Sequence, residues 1–214
     1  YAVTAIPFQP FSGTLASIPT EDDRYSSVIT LPFFFDFYGF NYNQIVVSTN
    51  GYMTFGQTSL AGQYSPWAIT YQIPWANFPA KNSIFGCYED LYNNASQGGL
   101  GTITYGSYGT APYRKFVVYF YNQPHFSCNS TIPLTSFQMI INETTNIIDV
   151  QLINRAPCTT WQSGNGVIGI INADGTQGIT PTGRNTGAWT AAQEAWRFYR
   201  PGYYLNYPFT RCDY

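Results

Sequence analysis

Glu21, Asp22 and Asp23 form the only run of three acidic residues in this 214-residue sequence. Carboxylate oxygens suit calcium, a hard cation that takes about six to eight oxygen ligands. A carboxylate from another loop, either Asp90 or Glu89, could complete such a site. We therefore predict a candidate calcium site at Asp22, Asp23 and Asp90. The alternative interpretation is a solvated acidic turn that caps the following strand.

His125 is the only histidine, so a Ser-His-Asp or Cys-His catalytic arrangement would have to use it. The nucleophile motif G-x-S-x-G is absent from the sequence. A glycosidase needs two carboxyl groups that flank one bond, but Glu89 and Asp90 are adjacent, and adjacent strand residues point to opposite faces. We expect no catalytic residues, no enzymatic activity, and no cofactor unless calcium occupies the acidic site.

Trp67 and Trp75 are candidate ligand-binding residues, because aromatic rings at a surface can stack on sugars. Aromatic residues are abundant, with 19 Tyr, 16 Phe and 5 Trp, and they make up 19% of the sequence. Most of these rings must lie in a hydrophobic core. In the alternative interpretation both tryptophans are therefore core residues.

The sequence contains four cysteines, Cys87, Cys128, Cys158 and Cys212. None of them forms a C-x-x-C pair, so a zinc knuckle or a thioredoxin-like motif is not expected. An even number of cysteines in a chain poor in lysine predicts two disulfides and an oxidising compartment. The sequence alone does not choose among the connectivities, and four free thiols are the alternative.

Charged residues make up only 9% of the sequence and the net charge is −2, whereas about 25% is typical of soluble domains. The nine Lys and Arg residues are scattered, which argues against nucleic-acid binding because that function needs clustered basic residues. No apolar run approaches the roughly 20 residues that cross a bilayer, so we expect no membrane insertion. A weakly charged surface can pack against neighbouring molecules at little desolvation cost.

Alternating apolar residues and frequent turn residues predict a chain of short β-strands. Asn50-Gly51 lies between two β-rich runs and predicts a tight hairpin in which both turn residues have positive φ. No long segment has helical periodicity, and the best helical stretch is Trp189–Glu194, with one or two turns. The predicted strands are Leu31–Phe37, Gln44–Thr49, Tyr52–Phe55, Ser83–Tyr88, Gly101–Tyr105, Lys115–Asn122, Ser136–Asn142, Ile147–Ile153, Val167–Asn172 and Ala195–Tyr199.

Evenly spaced short strands indicate an all-β fold with very little helix. We predict a single domain over residues 1–214, an antiparallel β-sandwich with a jelly-roll-like arrangement. Phe33, Phe35 and Phe37 should share one face of a strand, because side chains alternate along it. Residues 199–214 form an aromatic tail that a disulfide at Cys212 would fasten.

Two neighbouring segments, Leu31–Gly39 and Tyr42–Gly51, are similar to a β-sandwich module of large secreted surface proteins of Bacteroidetes, many of them gliding-motility-associated or adhesin-like. The hairpin in the second segment also resembles nidogen-like extracellular domains. Matching motifs continue through Phe126–Cys128 and Cys158–Gly164 to Glu194–Phe198, so that the resemblance covers about residues 1–198.

The resemblance implies export by the type IX system, an extracellular or cell-surface location, and a non-enzymatic role in adhesion or assembly. Its implied partners are other surface proteins or further copies of the chain. A self-assembling subunit of a filament or sheath and a lectin-like module that binds glycans are the alternatives. The resemblance also implies a Cys128–Cys158 disulfide, with Cys87 and Cys212 as the second pair.

Overall fold

The computed structural model describes residues 1–13, 16–19, 21–92, 101–129 and 131–202. Within these ranges the chain forms β-strands and two short 3-10 turns, Thr58–Leu60 and Gln162–Gly164, and no α-helix. The predicted all-β class is therefore confirmed. The strands are β1 (Ala2–Ala5), β2 (Ala16–Ile18), β3 (Ile29–Phe37), β4 (Phe40–Ser48), β5 (Tyr52–Phe55), β6 (Ser83–Tyr88), β7 (Thr102–Tyr108), β8 (Lys115–Gln123), β9 (Thr135–Asn142), β10 (Ile148–Arg155), β11 (Asn165–Ile171), β12 (Gly178–Ile179), β13 (Asn185–Ala188) and β14 (Ala191–Tyr199).

The strands form two antiparallel sheets that pack as a sandwich, as predicted. The first sheet has the order β1-β14-β10-β9-β8-β7-β2. The second has the order β12-β11-β6-β5-β4-β3, and β13 also pairs with β11. Most neighbouring strands are consecutive in the sequence, and short turns connect them except between β5 and β6 and between β8 and β9. The chain crosses between the sheets after β2, β6 and β10 and again before β14.

The core between the sheets is built from strand side chains that alternate in and out. On β3 the predicted face is confirmed, because Phe33, Phe35 and Phe37 are buried while Phe34 is 67% exposed. From the first sheet, Phe120 and Phe137 stack with their ring centroids 4.6 Å apart. Burial of such rings supplies the main stabilising term of the sandwich.

A second, smaller core covers the outer face of the second sheet. The segment between β5 and β6, residues 56–82 (the β5–β6 loop), lies over this face. Its Ile69, Ile73 and Phe78 are buried in one cluster with Tyr52 and Phe85 of the sheet. The loop is therefore an integral layer of the domain, held by apolar packing.

The outer face of the first sheet is crossed by the N-terminal segment after β1. The Gln138 side chain accepts a hydrogen bond from the Phe11 N–H (2.7 Å) and donates one to the Phe11 carbonyl (2.8 Å). The Gln151 side chain accepts a hydrogen bond from the Gln9 N–H (2.8 Å). Both glutamines are buried, so these bonds satisfy amides that would otherwise be costly to bury.

The expected helical turn at Trp189–Glu194 is wrong. β13 ends at Ala188 and β14 begins at Ala191, so most of this segment is extended. β14 pairs with β10 on one side and with β1 on the other. Pairing with two neighbouring strands outweighs the weak helical preference of a few residues.

The hairpin predicted at Asn50-Gly51 joins β4 to β5. Ser48 and Tyr52 are the last paired residues, which leaves a three-residue loop. Gly51 has a φ of +89°, whereas Asn50 is not in the left-handed region. The expectation of two positive φ values is therefore wrong, because a three-residue loop needs only one left-handed residue.

Candidate metal centre

Asp22, Asp23 and Asp90 lie together in the structure and are named here the acid cluster. Each offers a carboxylate oxygen, and these oxygens all lie within 4.8 Å of one another. Asp22 and Asp23 belong to the turn between β2 and β3, whereas Asp90 follows the end of β6. The structure thus brings together the three residues that the sequence analysis named for calcium.

The β4–β5 hairpin positions the first two acids. Arg24 accepts a backbone hydrogen bond from the Thr49 N–H (3.0 Å), and the Arg24 N–H donates one to the Thr49 hydroxyl (3.0 Å). The Asp23 carbonyl accepts a bond from the Ser65 N–H of the β5–β6 loop (2.8 Å). Asp23 has a φ of +49°, which aspartate tolerates better than most residues.

Asn50, which the sequence analysis did not single out, connects the two halves of the acid cluster. Its fully buried amide donates hydrogen bonds to Asp23 Oδ1 (2.7 Å) and to the Pro66 carbonyl (3.2 Å). Its Oδ1 accepts a bond from the Leu91 N–H (3.1 Å), next to Asp90. The one signal in the sequence was its place in the hairpin turn beside Gly51.

The acid cluster holds more negative charge than its surroundings balance. Burial, together with the charge of the neighbouring Asp23, raises the pKa of Asp22 to about 6. Burial also raises the pKa of Asp90 to about 7, against a hydrogen bond from the Trp161 indole N–H (2.7 Å). No described basic side chain is ion-paired with these three acids. In addition, Asp22 Oδ1 is buried without a hydrogen-bond partner.

These features fit a hard cation. A metal ion would supply the missing positive charge, would give Asp22 Oδ1 a partner, and would favour the ionised form of all three carboxyl groups. The donors are oxygens alone, as calcium prefers. Three carboxylates, some of them bidentate, together with water molecules can complete the coordination shell of calcium.

Glu89 points away from the acid cluster, so of the two acids considered for the third ligand only Asp90 takes part. The Glu89 carboxylate accepts hydrogen bonds from Arg155 (2.9 Å) and from the Thr135 hydroxyl (2.8 Å). Burial, the largest single influence, would raise the pKa of Glu89, but the charge of Arg155 and the hydrogen bonds to the carboxylate together outweigh it, so the pKa is lowered. This buried ion pair joins β10 of the first sheet to the end of β6 in the second.

His125 belongs to the same buried network as Glu89. Its Nδ1 lies 3.6 Å from Glu89 Oε2, and its Nε2 shares a 3.0 Å hydrogen bond with Thr135 Oγ1. The side chain is 2% exposed. The cavity beside it has a volume of about 10 Å³, which is roughly the space of one water molecule.

One of the two expected cysteine pairs lies within the described residues. Cys128 and Cys158 form a disulfide with their Cα atoms 5.8 Å apart. Cys87 carries a free thiol in the described part of the chain, and its expected partner Cys212 lies outside the described ranges. Cys87 points into the core with its Sγ 3.5 Å from Glu89, and burial raises the pKa of its thiol well above the ordinary value. Such a thiol is unreactive.

Trp67 and Trp75 lie in the β5–β6 loop but in separate aromatic pairs. Trp67 packs against Trp161, with ring centroids 5.9 Å apart, and so adjoins the acid cluster. Trp75 packs against Tyr71, with ring centroids 4.1 Å apart. Trp75 also contacts the second core. The two candidate residues therefore do not form one platform.

Comparison with known proteins gives one match. A family model described as NIDO related matches residues 1–211. Neither the curated proteins nor the solved structures give a match. In the described part of the chain no helix is long and apolar enough to span a membrane. The family match and the disulfide together identify an extracellular-type module, and the chain belongs to the NIDO-related family.

Proposed function

We propose that this chain is a non-enzymatic extracellular surface module for adhesion or assembly, and that it binds calcium at the acid cluster. The observation that carries the calcium site is the unbalanced charge of Asp22, Asp23 and Asp90, together with the buried, unpartnered Asp22 Oδ1. The extracellular part rests on the family match. Calcium sites of extracellular modules bind with dissociation constants of about 0.1–1 mM.

Calcium at this place has a structural role in the proposal. It would tie the turn after β2 to the end of β6, two segments that the sequence places more than 60 residues apart. The same region holds the Trp67–Trp161 pair and the exposed Tyr64. Calcium would therefore order the loops at one end of the sandwich, where a surface partner can reach them.

The non-enzymatic part is supported by the state of the groups that could do chemistry. Cys87, Glu89 and His125 are all buried in one network. Glu89 is held by Arg155, and the adjoining cavity is too small for a substrate. The carboxyl groups of Glu89 and Asp90 engage different partners and cannot flank one bond.

More specifically, the chain in this proposal is part of a gliding-motility or adhesin-type surface protein of Bacteroidetes, which the type IX system exports. Its support is the resemblance of Leu31–Gly39 and Tyr42–Gly51 to that module. The partners in this proposal are other surface proteins.

Thermal unfolding with and without calcium tests the metal site. We expect the Tm to be about 3–5 °C higher in 10 mM calcium than in EGTA, as a site of about 1 mM affinity would give in a domain of this size. Asp90→Asn should abolish this difference. Asp174→Asn, which changes an exposed aspartate in the turn between β11 and β12, should retain it. Identical melting curves in calcium and EGTA would eliminate the site.

Adhesion is tested with the same proteins. The wild-type chain should be retained on immobilised bacterial cells or isolated surface proteins, and less so in EGTA or with Asp90→Asn. If the folded chain binds neither surfaces, partner proteins, glycans nor itself, the adhesion role is wrong even where calcium raises the Tm.

A further inference from the structure

A groove lies on the outer side of the second sheet, between the β5–β6 loop and β13. Its volume is about 420 Å³, within the range of about 300–1,000 Å³ that is typical of small-molecule sites. None of its described lining residues is charged. Its lining includes Tyr71, Gln72, Trp75, Asn165 and Thr186.

An aromatic pair forms one wall of the groove. Tyr71 is 57% exposed and packs against Trp75 with an interplanar angle of 41°. Trp75 is half-buried, because its other side contacts the second core. An exposed ring on a buried base offers a firm apolar face to a ligand.

Uncharged polar groups line the rest of the groove. Gln72 Nε2 lies 3.5 Å from the Thr186 hydroxyl, and Asn165 Nδ2 lies 3.5 Å from the Ile69 carbonyl. Both contacts are at the outer limit for a hydrogen bond, so these amides can donate more strongly to a ligand. Thr186 also has a φ of +82°, a costly conformation for a β-branched residue. Strain of this kind tends to occur at ligand sites.

Side-chain amides hold the groove in shape without a ligand. Asn185 accepts a hydrogen bond from the Ile73 N–H (2.9 Å) and donates one to the Ile73 carbonyl (2.6 Å). Gln162 accepts one from the Ile69 N–H (2.9 Å). Beneath the groove, a Cβ on Gly175 would lie 2.5 Å from the Trp75 carbonyl, so only glycine fits. Ligand binding would therefore cost little conformational entropy, because these hydrogen bonds already order the loop.

We propose that this groove binds a neutral saccharide. The apolar C–H face of a sugar ring would stack on Tyr71, and its hydroxyl groups would bond to Gln72, Asn165 and Thr186. The lack of charge disfavours nucleotides and acidic sugars, which need a cationic partner. The inference rests on the proposed function as a surface-binding module, and it names neutral glycans as a class of partner. It does not involve the acid cluster.

The test measures binding of soluble disaccharides, namely maltose, cellobiose, lactose and mannobiose, by NMR in the presence of EGTA. The chain has five tryptophan indole N–H groups, and Trp75→Phe identifies the signal of Trp75. We expect at least one disaccharide to shift the Trp75 signal while the Trp189 signal, from a tryptophan buried elsewhere, stays in place. A glycan array then extends the search to longer neutral chains.

Substitutions localise the binding. Tyr71→Ala should weaken it about tenfold, which corresponds to the loss of one stacking partner. Tyr71→Phe should retain most of the affinity. Tyr113→Ala removes a similarly exposed ring from the turn between β7 and β8 and should have no effect. If Tyr71→Ala fails to fold, Gln72→Ala, which also lines the groove, takes its place.

The inference is overturned if no neutral glycan shifts the Trp75 signal or binds on the array, or if Tyr71→Ala leaves the affinity unchanged. It is equally overturned if a proline-rich peptide occupies the groove and sugars do not. Because these measurements use soluble sugars and EGTA, their failure is distinct from a failure of calcium binding or of adhesion to surface proteins.

Discussion

At the scale of single residues, the charge of the acid cluster, and with it the stability of the domain, depends on which of its carboxyl groups are protonated. The pKa of Asp90 is raised to about 7 and that of Asp22 to about 6, whereas an unfolded aspartate has a pKa of about 3.9. Without metal, the folded state therefore binds protons more tightly than the unfolded chain between about pH 4 and pH 7. These groups consequently make the metal-free domain less stable as the pH rises through that range.

Asp90→Asn tests this reasoning. In EGTA at pH 8 the variant should have a higher Tm than the wild type, because it lacks a buried charge without a counter-ion. At pH 5 the two Tm values should converge, since Asp90 is then protonated. In calcium the difference at pH 8 should shrink, because the metal stabilises only the wild type. An Asp90→Asn variant that is destabilised equally at both pH values in EGTA would contradict the assigned electrostatics.

The calcium affinity should depend on the protonation of the same carboxyl groups. Metal binding needs deprotonated ligands, so the apparent affinity should fall as the pH drops through the pKa values of Asp90 and Asp22. Isothermal titration at pH 8 and at pH 5.5 measures this change.

The sequence predicted the members of the acid cluster but not the residues that hold it. Asp22 and Asp23 are conspicuous as a run, and Asp90 follows a clear strand. Asn50 and Trp161 act through contacts across the fold, and no local pattern marks such contacts. Glu89 and Arg155 pair across the two sheets for the same reason, at positions 66 residues apart.

At the scale of elements, the β4–β5 hairpin does more than reverse the direction of the chain, because its turn also packs against β6. Gly51 has a positive φ, and a Cβ at this position would lie 2.0 Å from the Cys87 carbonyl. The hairpin therefore packs directly on β6, and this contact sets Asn50 against the acid cluster. The turn motif predicted the hairpin, but only the packed structure explains why glycine is required.

Gly51→Ala should lower the free energy of unfolding by more than about 2 kcal/mol, because it combines backbone strain with a clash. Gly183→Ala is the matched control, since Gly183 has a φ of +73° but nothing within 4 Å of the added Cβ. That variant should lose only about 1 kcal/mol from the left-handed backbone alone. Urea unfolding measures both, and equal losses would show that the contact with β6 carries no weight.

The predicted strands were mostly found because alternation and turn residues are local signals. The segments that cover the two sheets were not predicted. The β5–β6 loop has no periodicity, and its place depends on apolar contacts such as Phe78 with Phe85 and on amides such as Asn185. Likewise, Trp189–Glu194 was misassigned because its conformation depends on two neighbouring strands.

At the scale of the whole molecule, β3 is the element best placed for assembly with another copy. Among the described residues it pairs only with β4. The backbone of Asp36 near its end is bonded to Asn146 and Tyr1, so the part of its other edge before Asp36 can accept a strand. Phe34 and Phe40 on this hairpin are 67% and 65% exposed. This observation favours the self-assembling filament or sheath subunit as the second candidate function.

Sedimentation velocity over a range of concentrations tests self-assembly. If β3 is the contact, the wild-type chain should form dimers or longer species, and Phe34→Glu should shift it towards the monomer. Tyr113→Glu, which places a charge at another exposed ring, should leave the distribution unchanged. A wild type that stays monomeric at high concentration would leave adhesion to other molecules as the remaining role.

Two segments cover the outer faces of the sandwich, namely the N-terminal segment after β1 and the β5–β6 loop. Gln138 and Gln151 bind the N-terminal segment, and Gln162 and Asn185 bind the β5–β6 loop. All four use side-chain amides, which neither titrate nor attract counter-ions. High salt concentration weakens interactions between charges but leaves these amide hydrogen bonds intact. We therefore expect both segments to stay attached to the sandwich over a wide range of ionic strength.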